Sequence, residues 1–210
     1  EFRPRSENTA ATYDLAFVGT VHSGRYRIAQ RVFAAGKRNF GFFFSPARWH
    51  HRLERLTNRD VRAIPLRHVS FDKMVRSEVA DVFRNAHAVL DVPRDGQAGL
   101  TMRTFEVLAS GSRLVTTNPH IVDEPFYDPR WVYVLPSDVS AWHSAGLQTF
   151  LQQSDTIPAQ LMANYSLARW VAEFAALVQP NAHEDRRRHI RVSGIFRRNA
   201  TLRTGDHQQL

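Results

Sequence analysis

Short apolar strands alternating with amphipathic helices predict a doubly wound α/β fold, a single parallel sheet with helices on both faces. Three observations carry this. Apolar runs at 14–19, 40–44, 88–92, 113–117 and 131–135 are short and bounded by glycine, serine or proline. Segments with apolar residues at helical spacing separate most of them. At 210 residues, 43% hydrophobic and 23% charged, the chain has room for one ordinary domain and an appendage.

The elements follow in order. Asp14, Leu15, Ala16, Phe17 and Val18, stopped by Gly19, read as a buried strand, and a loop follows over 20–24. From 25 to 35 Tyr26, Ala29, Val32 and Phe33 share a helical face, and Gly36 suits a C-cap. Residues 40–44 form a second strand closed by Ser45-Pro46, whereas the arginine-rich stretch 47–62 has no clear pattern and is left unassigned. Phe71, Met74, Val75, Val79, Val82 and Phe83 line one face of a helix that Ser70 is expected to cap. That helix leads into the strand 88–92. The loop 93–100 carries Gly96 and Gly99. A helix over 101–110 is expected to turn Met102, Phe105, Leu108 and Ala109 inward and to end at Gly111. The strand 113–117, the break at Asn118-Pro119, an acidic loop over 123–130 and the strand 131–135 precede helices near 139–152 and 165–178. Leu167, Trp170, Val171, Phe174, Leu177 and Val178 give the last helix an apolar stripe. The expected organisation is a nucleotide-binding-type domain over 13–179 and a basic tail over 180–210.

Composition excludes several functions. The chain has no cysteine, so disulfide scaffolds, Cys-ligated zinc and thiol nucleophiles are ruled out. No apolar run approaches the roughly 20 residues of a membrane span. The sequence starts Glu1-Phe2 without a signal-like segment, so it is expected to be an excised or processed piece of a longer product. The net charge is +8, and all basic residues but Lys37 and Lys73 are arginine. The tail concentrates Arg186, Arg187, Arg188, Arg191, Arg197 and Arg198. It reads as a solvated end or as a contact for anionic lipid or nucleic acid. The remaining arginines are scattered and no nucleic-acid motif accompanies them, so nucleic acid is the weaker partner.

In a doubly wound fold, ligands bind beyond the carboxyl ends of the strands. The loops at 19–25, 45–48, 69–71, 93–101 and 117–123 should therefore converge. Gly96 and Gly99 precede a helix N-terminus, which suits either a diphosphate or an ordinary turn. Arg103 and Glu106 share a face of that helix with Ser110. They form either an exposed ion pair or a site in which Arg103 meets phosphate or substrate and Glu106 accepts hydrogen bonds from ribose hydroxyls. His22 beside the first loop reads as a loop residue or as a phosphate donor.

The segment Tyr13-Asp14-Leu15-Ala16-Phe17-Val18-Gly19-Thr20, the segment Leu100-Thr101-Met102-Arg103-Thr104-Phe105-Glu106-Val107-Leu108-Ala109-Ser110-Gly111 and the strand ending Val115-Thr116-Thr117-Asn118 together resemble the C-terminal half of GT-B glycosyltransferases. The likeness is to group 1 and CgeB-like enzymes of bacterial polysaccharide and lipopolysaccharide assembly. It runs from about residue 13 to 174 and implies a Rossmann-like domain that holds a nucleotide sugar, UDP- or GDP-linked. By resemblance Glu106 grips the ribose, the backbone of Gly99, Leu100 and Thr101 cradles the diphosphate, and Gly19, Thr20 and Arg25 face the phosphates. The segment around Ser70 meets the base. Many retaining members carry an acid eight residues before the ribose glutamate; Ala98 stands there, which argues against that retaining chemistry.

The absence of an Asp-x-Asp motif fits transfer without a metal or other cofactor. The resemblance implies transfer to a glycan or lipid-linked acceptor and a facing N-terminal domain or partner subunit that supplies the base. No catalytic residue is assigned within this chain. The expected location is the cytoplasm, or the inner face of the membrane through the tail. A nucleotide-sugar epimerase of the same architecture and a nonenzymatic binding module with an arginine-rich tail are the alternatives.

Overall fold

The computed structural model describes residues 2–5, 10–94, 99–136, 138–139, 142–153, 157–163 and 165–178. The tail over 180–210 and the residues Gly96 and Ala98 lie outside them. The chain divides into two units, Glu1–Arg169 and Trp170–Leu210. The first holds the sheet; the described part of the second is helical.

Six strands, β1 (Tyr13–Thr20), β2 (Asn39–Phe44), β3 (Val69–Ser70), β4 (Ala86–Asp91), β5 (Arg113–Thr116) and β6 (Val132–Val134), form one sheet in the order β3-β2-β1-β4-β5-β6. Every pairing is parallel. The doubly wound class read from the sequence is therefore the fold observed. The alternation along β1 shows why both faces are covered. Leu15 and Phe17 join α1 (Ser23–Phe33) and α6 (Ala145–Gln152) through Ala29, Val32, Leu147 and Phe150 on one side. Ala16 and Val18 join α4 (Arg76–Arg84) and α5 (Met102–Ala109) through Phe83, Val107 and Leu108 on the other. A strand buried on both faces has to be apolar throughout, which is what made these runs readable.

The unassigned stretch folds as α2 (Arg48–Thr57) and α3 (Arg59–Arg62), the latter anchored by the buried Val61 and followed by the buried Ile64. A further short helix, α7 (Ala159–Ala163), stands before α8 (Leu167–Val178). Of the helix expected near 139–152 the described residues show α6, and residues 140–141 lie outside them.

Two local expectations are corrected. Ser70 is not an N-cap; it ends β3, and its hydroxyl donates to the Asp72 carbonyl at 2.9 Å while accepting from the Asp72 amide at 3.3 Å. With the hydroxyl spent in that turn, the helix begins six residues later, where the Glu78 carboxylate accepts from the Val75 amide at 2.9 Å. Met102 does not face inward either, being 72% exposed. The buried side of α5 is Thr104, Val107 and Leu108. Gly111 does end α5: its φ of +72° is the left-handed conformation that favours glycine, and Pro4 lies against it.

Candidate functional site

After β1 the chain turns to one face of the sheet, and after β4 to the other. The crevice that opens between two such strands is where ligands enter this fold. Here it is a cavity of about 320 Å³ lined by Thr20, His22, Gly24, Arg25, Val92 and Arg94, among others. Arg25 stands in the first turn of α1, so its side chain rises from the helix start toward the strand ends, and its Nη1 donates to Thr20 Oγ1 at 2.8 Å. His22 occupies the position just before α1 in an extended backbone and makes no capping bond with its side chain. It is both a loop residue and part of the crevice wall.

The other wall is organised by Asp91, the last residue of β4, only 6% exposed. Its Oδ2 accepts from Thr101 Oγ1 at 2.6 Å and from Thr104 Oγ1 at 3.2 Å. Thr101 is the N-cap of α5, its hydroxyl also accepting from the Thr104 amide at 3.3 Å. The carboxylate thus moors the start of α5 to the end of the strand before it. From the next strand, Asn118 Nδ2 donates to the Gly99 carbonyl at 3.3 Å and holds the approach to the helix. Burial pushes the Asp91 carboxyl above its ordinary range; the two hydroxyls and the cations Arg103 and Arg25 oppose that rise. Both arginines therefore lie within the field of one buried acid, which links the two walls.

The consequence for the proposed cradle is specific. The Thr101 hydroxyl is committed to Asp91 and to the cap, so what α5 offers a ligand is backbone amide and dipole. Gly99 has nothing within 4 Å of the position a Cβ would take, so its backbone stands open. Gly19 differs: a Cβ there would come within 2.8 Å of the Phe17 ring, so packing on that ring accounts for the glycine without any ligand.

One turn along α5, Arg103 and Glu106 face α4 rather than solvent. Glu106 Oε1 is 3.5 Å from Arg76 Nη2 and its Oε2 is 3.9 Å from Arg103 Nε, with side chains 20% and 27% exposed for Glu106 and Arg103. The exposed ion pair allowed by the sequence is thus replaced by a half-buried cluster with Arg76 as a third member. Arg103 lies over the Phe83 ring at 5.0 Å, and its Nη1 is buried without a hydrogen-bond partner among the described residues. Burial lowers the Arg103 pKa and the charges of Glu106 and Asp91 raise it; a guanidinium remains charged throughout. Ser110, on the same helix, is buried and donates to the Glu106 carbonyl at 2.8 Å.

The structure places Thr20 and Arg25 in the cavity wall; Thr101 and Gly99 are tied to the ends of β4 and β5 through Asp91 and Asn118, Leu100 between them packs against the apolar core, and Arg103 and Glu106 follow along α5. Ser70 stands apart, two strands from β1 on the far side of β2, about 10 Å away at the usual strand spacing. Asp91, Arg94, Asn118 and Arg76 were not singled out from the sequence. For Asp91 a signal existed: an acid closing an otherwise apolar strand, with a threonine at the next helix start to receive it.

Three comparisons bear on this arrangement. No curated protein sequence matches the chain significantly. Among solved structures it is similar to the crystal structure of AviGT4, a glycosyltransferase involved in avilamycin A biosynthesis, with a TM-score of 0.51 and 17% identity over 84% of this chain. The likeness is one of fold, and the chain spans about half of that enzyme, covering 52% of it. A family model described as glycosyl transferase-like matches residues 31–207, which include the wall that runs from Asp91 to Asn118 and every strand but β1, and begin after the wall formed by Thr20 to Arg25. That match takes in most of the sequence, and the chain belongs to the glycosyl transferase-like family.

Proposed function

We propose that this chain is the donor-binding part of a glycosyltransferase and that the crevice between β1 and β4 receives the diphosphate of a nucleotide sugar. The observation that carries the reading is the position of the cavity. It lies at the reversal of strand order, with Arg25 and Arg94 on its wall, and the start of α5 is moored through Thr101 to Asp91 at the end of β4. Membership of a glycosyltransferase-like family gives that geometry its chemical sense.

In the transfer, the bond between the anomeric carbon and the diphosphate oxygen breaks with its electron pair going to the nucleoside diphosphate. A hydroxyl oxygen of a glycan or lipid-linked acceptor forms the new bond and loses its proton to a base on the facing acceptor-binding part. This chain's share is to hold the leaving group and to stabilise its developing charge with helix amides and guanidinium groups in place of a divalent ion. In this reading Glu106 takes the ribose hydroxyls, exchanging its long contact with Arg103 for two shorter ones. Gly99 to Thr101 offer backbone to the phosphates, and Ser70 marks the side of the crevice nearer the base.

Isothermal titration with UDP- and GDP-sugars tests the reading. Binding that weakens by about 1–3 kcal/mol in Glu106→Ala is expected if two half-buried hydrogen bonds are lost. The absence of heat with either nucleotide at millimolar concentration overturns the donor site, and unchanged affinity in the variant removes Glu106 from it.

A further inference from the structure

The helix that the sequence left unassigned carries its large apolar residues on the outside. Trp49, Leu53 and Leu56 are 69%, 54% and 73% exposed. Their spacing of four and three residues places them in one stripe along α2. The opposite side of the same helix is fixed in the fold: His51 is fully buried, its ring 5.9 Å from that of Phe71 in an edge-on contact. The stripe is therefore held outward by packing.

Its surroundings are cationic. Between residues 48 and 67 there are six arginines against Glu54 and Asp60. Arg48, Arg52, Arg59, Arg62 and Arg67 are exposed, and Leu66 beyond α3 adds an apolar residue that is 55% exposed. Glu54 lies one turn along the helix from His50, 3.6 Å from its Nδ1, on the side of the stripe away from Arg52.

A tryptophan and leucines in one row with guanidinium groups beside them is the composition of a helix that lies in the boundary of a lipid surface. The apolar side chains enter the acyl edge while the arginines reach the headgroups. Tryptophan and arginine also occur at protein interfaces, so the choice of a lipid surface rests on the excess of exposed arginines over acids around the row, which anionic headgroups complement. Here Arg52 adjoins the stripe itself. We infer that α2, through Trp49, Leu53 and Leu56, with Arg52 beside them and the exposed Arg59 just beyond the helix end, docks the protein on an anionic lipid surface. None of Trp49, Leu53 and Leu56 lines the crevice, and the inference stands whether or not the donor-site reading holds.

Co-sedimentation of the full chain with phosphatidylcholine vesicles, with and without phosphatidylglycerol, tests the inference. The chain is expected to bind only the anionic vesicles, and less at high salt. The variant carrying Trp49→Ser, Leu53→Ser and Leu56→Ser should bind at least about tenfold more weakly. Arg52→Glu with Arg59→Glu should lose at least about fivefold for each arginine removed. Both variants change exposed side chains, so an unaltered circular dichroism melting curve is expected alongside. Replacing Arg186, Arg187 and Arg188 by serine in the full chain should leave most of the binding in place. Failure of the wild-type chain to bind anionic vesicles at low salt overturns the inference, as does binding that survives the stripe variant or vanishes only with the tail arginines. A self-association that the stripe variant abolishes, without vesicle binding, overturns it in favour of an interface between copies of the chain.

Discussion

Asp91→Ala removes the mooring between β4 and α5, and its cost can be worked from the contacts. The carboxylate accepts two hydroxyl hydrogen bonds, at 2.6 and 3.2 Å, from Thr101 and the buried Thr104. Bonds to a charged acceptor contribute about 1.5–3 kcal/mol each, so the gross loss is about 3–6 kcal/mol. Removing the acid also relieves the desolvation that raises its pKa, and the net destabilisation expected is about 2–3 kcal/mol. For a domain of this size that lowers the melting temperature by roughly 4–12 °C. Asp91→Asn keeps an acceptor oxygen and sheds the charge, so it should stay within about 1 kcal/mol of wild type at neutral pH. The pH dependence has a definite sign. Because the carboxyl is raised above its ordinary value of 3.8 in the folded state, the folded protein holds the proton more tightly than the unfolded chain. The stability linked to Asp91 is thus fully present below that value and is lost as pH rises through the folded pKa. The stability of wild type relative to Asp91→Asn should therefore be greatest at the acid end of the window. Thermal denaturation followed by circular dichroism across that window is the assay. An Asp91→Ala protein as stable as wild type, or a difference from Asp91→Asn that grows as pH rises, refutes the mooring.

Two further outcomes concern the scaffold. Gly111→Ala should destabilise by about 1–2 kcal/mol, because a side chain would be forced into the left-handed region and its Cβ would sit 3.1 Å from that of Pro4; an unshifted urea midpoint counts against this. His51 is fully buried with neither ring nitrogen bonded among the described residues, and burial lowers its pKa below the ordinary 6.5. Its linked stability is present above that value and lost as pH falls through the folded pKa, so His51→Leu should match or exceed wild-type stability by about 1 kcal/mol at neutral pH and lose less on acidification. A variant markedly less stable than wild type at both pH values would show that His51 has a polar partner.

The strands and the carboxyl-end loops were legible because parallel strands buried on both faces are apolar along their central residues, and 15–18 and 88–90 are. Helix rotation was harder to read. In α5 an apolar Met102 lies out in solvent while a polar Thr104 lies inside, because Thr104 is buried by virtue of the bond it gives to Asp91. In α2 the inversion is complete: the residue turned into the fold is a histidine, and those turned out are tryptophan and leucine. Periodicity ranks positions by apolarity, so it cannot orient a helix whose inner face is held by polar contacts or whose outer face is apolar. The misplaced cap at Ser70 has a related cause, since a serine that could have capped a helix closes a two-residue turn instead.

The polar side chains around α5 also limit which groups can receive a ligand. Asp91 uses the hydroxyls of both Thr101 and Thr104, and Asn118 Nδ2 holds the Gly99 carbonyl, so these groups serve the placement of the helix. Arg103 is fixed between the two acids and the Phe83 ring. A rigid guanidinium suits that position, because it can lie flat on the ring while presenting its edge to carboxylates, which an ammonium cannot do. Under the proposed donor-site reading, a diphosphate would meet Arg25 and Arg103 within the field of the Asp91 carboxyl, so its attraction would rest also on the helix amides and on Arg94. Of these, the amides are fixed in place by the same hydroxyl bonds that oppose the rise which burial imposes on the Asp91 carboxyl. A substitution that loosens Asp91 should for that reason disturb anion binding and stability together, whereas one at Glu106, a turn further along α5, should disturb binding of the nucleoside more than the folding of the domain.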